Sequence, residues 1–573
     1  MTLSESAETG SRLTDLIFSG QCEVIVVDGL RTFVAHGGGD AESEVYLAGT
    51  YSDRDRPCDI RAEQVANLNG AFVLLRHNNS KRILTIATDR YGHFPFYSVP
   101  HRGRLYLSHS IAALTERGLI GGNIDFAAMS DAFAFYLPLN QRTLWRDVSG
   151  FPAGSEIVID LNTLQQTTKR LWDPVELLSQ ADVTLESAKD ELVELFLQGF
   201  EQAVSGTDNV AITLSGGADS RCLLAASVRA RRNTITYATG VSGSRAVEYA
   251  RQMAELCGVE HHAYPLDDSF LQKLPALMRH TTLLAEGMSF SSEVEAAWLR
   301  DHVTTGNVIL HGGFAELFKI RKMHTFPYEE SIAGLSRQAV SQRLWQRVER
   351  DYTLRRQAVR AEYSEQLGAQ GRHHLEEKIA RYPRHLDGAA VLQMLYIEEF
   401  LSKVARCSRM MWNQRIPLKF PFAYPPLVDL ILRIKTTDKI ANHFGAYLLR
   451  RISPKLARFP DSNTGVRIGA SRVHRELVHV ADWTRRKLFK SRVSADHQDF
   501  ANWLSLMKPG IEAAFSELQS QTEAFDMEQV GRLTSQCRAG DNSSAYAIRF
   551  LWSWGLWMAA GIPGGAGLRR AVS

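Results

Sequence analysis

The chain has 573 residues, too many for one hydrophobic core, and its length predicts roughly two to four domains. Apolar residues make up 45% and charged residues 23%, the balance of a soluble globular protein, and a net charge of only +3 speaks against a nucleic-acid partner. The six cysteines (Cys22, Cys58, Cys222, Cys257, Cys407, Cys537) lie far apart and without metal-ligand spacing, which speaks against a zinc site and fits free thiols in a reducing cytoplasm.

The first ten residues lack the basic and then apolar pattern of a signal peptide. Up to about residue 175, short apolar runs alternate with Gly, Asn and Asp clusters. Strands are predicted at Cys22–Val27, Thr32–Ala35, Val45–Ala48, Ala71–Arg76, Ile83–Thr88, Arg104–Ser108 and Glu156–Asp160, with one helix around Phe126–Phe135. This pattern predicts packed antiparallel sheets in a first domain, 1–175. From about residue 185, helical patterns at Leu185–Val204, Arg221–Arg229, Arg245–Cys257 and Ser292–His302 alternate with strand runs at Val210–Leu214, Thr234–Ala238, His262–Pro265 and Val308–Leu310. That alternation predicts an α/β second domain, 185–573, with a parallel sheet whose ligand sits at the carboxyl ends of the strands. Beyond about residue 325 the sequence reads as nearly all helix. The mixed charges of 337–382 predict a solvated helical face, and the net basic stretch 467–492 reads as a solvated surface rather than a site for an acidic substrate or a peptide. Phe550–Ile562 is too short to span a bilayer, so Trp552, Trp554 and Trp557 are read as core packing and the protein as soluble and cytoplasmic.

The most informative run is Thr213-Leu-Ser-Gly-Gly-Ala-Asp-Ser-Arg-Cys-Leu-Leu224. A β-type run ending at Leu214 feeds a Ser215-Gly216-Gly217 turn, and an apolar helical stretch follows Asp219-Ser220. The glycines let backbone approach a ligand, and the helix start offers unpaired N–H groups to an anion. Ser215 and Ser220 add hydroxyl donors, and Asp219 can hold a divalent cation against phosphate oxygens. No GxxxxGK[ST] occurs, so γ-phosphate transfer is not implied. The run resembles the SGGxDS pyrophosphate loop of the ATP pyrophosphatases, which split ATP into AMP and pyrophosphate.

Further segments resemble, in order, those of the glutamine-dependent asparagine synthetases. In the first domain these are Leu68-Asn69-Gly70-Ala71-Phe72, Asp89 to Tyr97, Leu105 to Leu114, Val148 to Gly154 and Leu171-Trp172-Asp173-Pro174. In the second they are Asn307 to Phe318, similar to VVLSGEGADELF; Lys403-Val404-Ala405-Arg406, similar to KVDR; Phe420 to Asp429; and Tyr447 to Arg451. The resemblance implies an Ntn-hydrolase-like β-sandwich followed by an ATP-pyrophosphatase-type parallel sheet with a helical C-terminal extension. It implies ATP and Mg²⁺ held by Leu214, Ser215, Gly216, Gly217, Asp219, Ser220, Tyr237, Gly312 and Gly313, with Asp219 and Glu316 as metal ligands. Catalytic roles fall by the same resemblance to Asp219, Glu316, Arg406 and Lys455.

The departures from that family are as informative. Its glutaminase nucleophile is an N-terminal cysteine, whereas here position 2 is Thr2 and a polar leader precedes the first strand near Cys22. The glutamine-holding NGExYN strand reads Leu47-Ala48-Gly49-Thr50-Tyr51-Ser52-Asp53, so the first domain is predicted to lack glutaminase activity. Ungapped matching puts Ala315 where the family has the Asp of GADE, leaving Glu316 to substitute. The lysine of its RPKxG loop has no equivalent in Arg458 to Gly465, which leaves Lys455, Arg458 or Arg467 to supply the charge.

The resemblance therefore implies an AMP-forming amide ligase acting on a small-molecule or peptide carboxylate, with the amine on the substrate itself. β-Lactam synthetase, carbapenam synthetase and the lasso-peptide cyclases, which lack the N-terminal cysteine, close rings in this way. A lasso cyclase would work with a leader-peptidase partner. Ammonia-dependent amidation, including that of polysaccharide precursors, and a non-catalytic pseudo-synthetase scaffold are the alternatives. The absence of paired cysteines sets the chain apart from ATP pyrophosphatases that modify tRNA.

Overall fold

The computed structural model describes residues 13–18, 22–27, 30–35, 43–51, 59–291, 293–319, 334–368, 370–439, 442–462, 525–539 and 541–561, with a few positions between 466 and 484. Residues 1–12, Cys58, the Asn463-Thr464-Gly465 turn and most of the basic stretch 467–492 lie outside the described residues, while the leader expected ahead of a first strand near Cys22 already holds a strand, Leu13–Phe18, paired with Cys22–Val27. The chain divides into two compact units, the first comprising Met1–Asp125, Gln141–Trp172 and Gly561–Ser573, the second Phe126–Asn140 and Asp173–Ala560. The helix Phe126–Phe135, set in the strand-rich part of the sequence, thus belongs to the second unit.

The first unit holds β1 (Leu13–Phe18), β2 (Cys22–Val27), β3 (Leu30–Ala35), β4 (Ser43–Tyr51), β5 (Gly70–Asn78), β6 (Ile83–Thr88), β7 (Tyr97–His101), β8 (Arg104–Ser108), β9 (Ser149–Gly150), β10 (Ser155–Asp160) and β11 (Gln166–Arg170). They form a five-stranded sheet, β1-β2-β8-β7-β9, and a six-stranded sheet, β11-β10-β6-β5-β4-β3. All described pairings are antiparallel except β2 with β8, which run parallel. Val24 and Leu107 of one sheet share a core with Val73, Leu84, Ile86 and Ile157 of the other. The larger sheet buries its outer face as well, where Val45, Leu47, Phe72 and Leu74 meet Ile60, Val65 and Leu68. Burial on both faces is why β5 reads as a nearly continuous apolar run rather than an alternation.

The Asp89-Arg90 pair holds this unit together. The Asp89 carboxylate accepts the N–H groups of Phe72 (3.3 Å), Tyr91 (3.1 Å), His93 (3.0 Å) and Phe94 (2.7 Å). The Arg90 guanidinium donates to the Ala66 carbonyl at 3.0 Å and lies 4.1 Å from the Trp172 ring centroid. The segment that carried the family resemblance here is a turn organiser.

The second unit is built on β12 (Asn209–Thr213), β13 (Asn233–Gly240), β14 (Glu260–Pro265), β15 (Val308–Leu310) and β16 (Leu418–Lys419), all parallel in the order β14-β13-β12-β15-β16. The helices Leu185–Ala203, Ala218–Arg229, Arg245–Cys257 and Val294–His302 lie close to their predicted positions, and Asp268–Leu284 is added to them. Among the described residues the later chain is helical apart from β16. In Arg337–Gln357 the buried residues Val340, Leu344, Val348, Tyr352 and Arg355 form one stripe, and the charged remainder faces water. In the last helix, Asn542–Gly561, Trp552, Trp554 and Trp557 are buried, and the Trp554 ring lies 5.2 Å from that of Phe133. These tryptophans are core, and no described helix is long and apolar enough to cross a membrane.

Candidate active site

β12 ends at the middle of the parallel sheet, and the chain turns through Leu214–Gly217 into the helix Ala218–Arg229. The Leu214 N–H donates to the Tyr237 carbonyl of β13 at 2.8 Å, which anchors the loop at the carboxyl edge of the sheet. Gly216 has φ of 72°, and a Cβ there would lie 3.0 Å from the Ala246 carbonyl oxygen, so the turn requires glycine. Gly217 is the N-cap residue, and no side chain caps the helix. Its first N–H groups are therefore available to an anion. The Ser220 hydroxyl accepts the Ser215 N–H at 3.2 Å and lies 3.3 Å from the Ser215 hydroxyl, so the two predicted phosphate donors sit side by side.

The adjacent strand, β15, runs into His311-Gly312-Gly313 and a single 3₁₀ turn, Ala315–Phe318. Gly312 packs against the first loop, since a Cβ on it would lie 2.7 Å from Asp219 Cβ. Phe314 is buried with φ of 74°, a conformation bulky residues rarely adopt, and its ring packs 5.5 Å from that of Phe420. This turn brings Glu316 to Asp219.

The two carboxylates converge on a group that the sequence reading missed. Lys319 Nζ lies 2.6 Å from Asp219 Oδ2 and 3.5 Å from Glu316 Oε1. Burial alone would lower the pKa of Lys319, but Asp219 and Glu316 hold its ammonium well above the ordinary lysine value. The i, i+3 spacing of Glu316 and Lys319 was the available signal. Among the described residues no three His, Cys, Asp or Glu side chains gather into a metal cluster. Two convergent carboxylates nevertheless fit Mg²⁺, which commonly takes one or two of them and completes its shell with phosphate oxygens and water.

A second group absent from the predicted site is Arg221. Its buried guanidinium donates to the carbonyls of Gly216 (2.9 Å), Leu456 (3.4 Å), Phe459 (2.8 Å) and Pro460 (2.8 Å). The Ser462 hydroxyl donates to the Ser215 carbonyl at 3.2 Å. Arg221 thus straps the segment 456–462 onto the glycine turn. Lysine lacks the planar fork needed to serve several carbonyls at once. Arg221→Lys is expected to raise the KM for ATP about tenfold, or about 1.4 kcal/mol, with kcat less affected, as steady-state kinetics would show.

The other predicted residues are placed as follows. Tyr237 contributes backbone to the loop, while its buried ring stacks 5.6 Å from that of His262 and its hydroxyl lies 2.7 Å from Thr305 Oγ1. Lys455 is exposed on the short helix Pro454–Ala457, facing Cys257 and next to the Arg221-bound carbonyls. Arg406 is buried at the start of the helix Arg406–Asn413, beside Cys407 and Lys403. The structure brings together Leu214 to Ser220, Gly312, Gly313 and Glu316.

The asparagine synthase family model matches residues 191–559, and a glutamine amidotransferase domain model matches residues 58–172. No curated protein matches the sequence. Among solved structures the chain matches NMN synthetase from Francisella tularensis at 13% identity, over 41% of this chain and 94% of that one, with a TM-score of 0.19, a likeness too slight to bear on its function. The asparagine synthase match takes in more than half of the residues, including both loops that meet at Asp219 and Glu316, and the chain accordingly belongs to the asparagine synthase family of ATP-dependent carbon–nitrogen ligases.

Proposed function

We propose that the protein is an AMP-forming amide ligase that adenylates a substrate carboxylate and joins it to an amine on the same substrate, closing a ring of the lasso-peptide or β-lactam type. The observation that carries this reading is the uncapped start of the helix Ala218–Arg229 lying against two convergent carboxylates at a strand end. The turn N–H groups and the Ser215 and Ser220 hydroxyls hold the β- and γ-phosphates. A carboxylate oxygen of the substrate attacks the α-phosphorus, the α–β bridge breaks, and pyrophosphate remains against the helix start. Asp219 and Glu316 would hold Mg²⁺, which neutralises charge on the leaving pyrophosphate. The amine then attacks the acyl carbon and AMP departs.

The reading of the amine source rests on taking the first domain, 1–175, as glutaminase-like and without activity, ahead of a synthetase domain, 185–573. Cys22 of the first domain is 1% exposed, and burial pushes the thiol up to about 12, so it is no nucleophile near neutral pH. The substrate is a small-molecule or peptide carboxylate in the cytoplasm, with a leader peptidase as partner if it is a peptide.

Pyrophosphate release from ATP and Mg²⁺ over a panel of amino-carboxylates and peptides tests this reading, with glutamine, with ammonium, or with neither. Release that needs neither nitrogen source is the expected result. Stimulation by glutamine would overturn the inactive first domain, and dependence on ammonium would replace ring closure by amidation.

A further inference from the structure

The carboxylate pair Asp219 and Glu316 is engaged by a cation of the chain itself. The Lys319 side chain is 16% exposed, bonded to Asp219 Oδ2 at 2.6 Å and 3.5 Å from Glu316 Oε1. A divalent ion would need the same oxygens at about 2.0–2.1 Å for Mg²⁺. An ammonium and a divalent cation cannot share that point, because at such separations their repulsion is large in a partly buried site. Free metal therefore meets carboxylates that are largely neutralised. ATP changes the balance: its phosphates at the uncapped helix start offer new acceptors within reach of a flexible four-carbon stem.

We propose that Lys319 is a nucleotide-binding residue that occupies Asp219 and Glu316 until ATP arrives, then passes its ammonium to the phosphates as the metal takes the carboxylates. Metal then enters only with nucleotide. Lys319 also supplies the positive charge that the sequence left among Lys455, Arg458 and Arg467. This inference rests on the reading of the loop as an ATP site.

The test is a Mn²⁺ titration followed by electron paramagnetic resonance on the full chain without nucleotide, for the wild type, Lys319→Met, Lys319→Gln and the double variant Lys319→Met/Asp219→Asn. Circular dichroism confirms folding of each. Both single variants are expected to bind Mn²⁺ about tenfold more tightly than the wild type, and Asp219→Asn should abolish that gain. Calorimetry with α,β-methylene-ATP in EDTA is expected to show about tenfold weaker binding to the two single variants than to the wild type. Equal Mn²⁺ affinity of wild type and both single variants, or equal affinity for the analogue, would overturn the role of Lys319. Failure of the wild type to bind the analogue, with or without metal, would instead overturn the ATP-site reading.

Discussion

Asp219→Ala is expected to lower pyrophosphate release about 10³-fold, or about 4 kcal/mol of transition-state stabilisation. Asp219 lies in the first turn of the helix whose uncapped N–H groups would face the phosphates in the proposed reaction, and it is half of the pair that would hold Mg²⁺. Under the proposed reaction its removal would take away a ligand where negative charge develops as the α–β bond breaks. Glu316 remains in reach of Lys319, so the ammonium keeps one partner and the fold is preserved. Asp219→Asn keeps the shape without the charge and is expected to fall by the same order. Unchanged unfolding midpoints for both variants, beside collapsed rates of release, would locate the effect in chemistry. A rate within tenfold of the wild type would remove Asp219 from the mechanism.

The second large effect concerns stability and lies in a π-helical segment, Tyr396–Ala405. Glu399 is fully buried and binds two ammoniums at once, Lys378 Nζ and Lys403 Nζ, each at 2.5 Å. It also accepts the Asn140 N–H at 3.0 Å, while Lys403 donates to the Asn140 carbonyl at 2.8 Å. Glu398 gives Lys378 a second carboxylate at 2.8 Å. Glu399→Ala would leave Lys378 with the Glu398 carboxylate and Lys403 with the Pro138 and Asn140 carbonyls, and breaking a buried pair from one side typically costs about 3–5 kcal/mol. A fall of that size in the urea-unfolding free energy, followed by tryptophan fluorescence, is expected. Glu399→Gln keeps the shape and some hydrogen bonds and should cost less. A change under about 1 kcal/mol for Glu399→Ala, the range of an exposed pair, would show that the cluster bears no such load.

Much of this architecture was legible because period and punctuation agree. The strands β12 and β15 of the second unit are short and largely apolar, and β15 was placed at its observed bounds. The Ser-Gly-Gly turn could be read because its glycines and hydroxyls are adjacent in sequence. β11 escaped notice because it is exposed along its whole length and carries no apolar signal. The helix Asp268–Leu284 was hidden by Pro275 in its interior, which reads as a breaker. Phe126–Phe135 is buried nearly all round, so nothing in its pattern indicates that it packs in the second unit. Lys319 and Arg221 were missed for another reason. Each acts on groups that adjoin only once β12 and β15 lie side by side, or once the segment 456–462 has folded back onto the loop. Apart from the i, i+3 pair of Glu316 and Lys319, sequence spacing does not carry such convergence.

The most direct test of the central claim is the identity of the nucleotide products. Wild-type protein with ATP, Mg²⁺ and the same panel of carboxylates, followed by phosphorus NMR, is predicted to yield AMP and pyrophosphate in equal amounts. ADP with orthophosphate would contradict cleavage between the α- and β-phosphates, and with it the reading of the glycine turn as a pyrophosphate site.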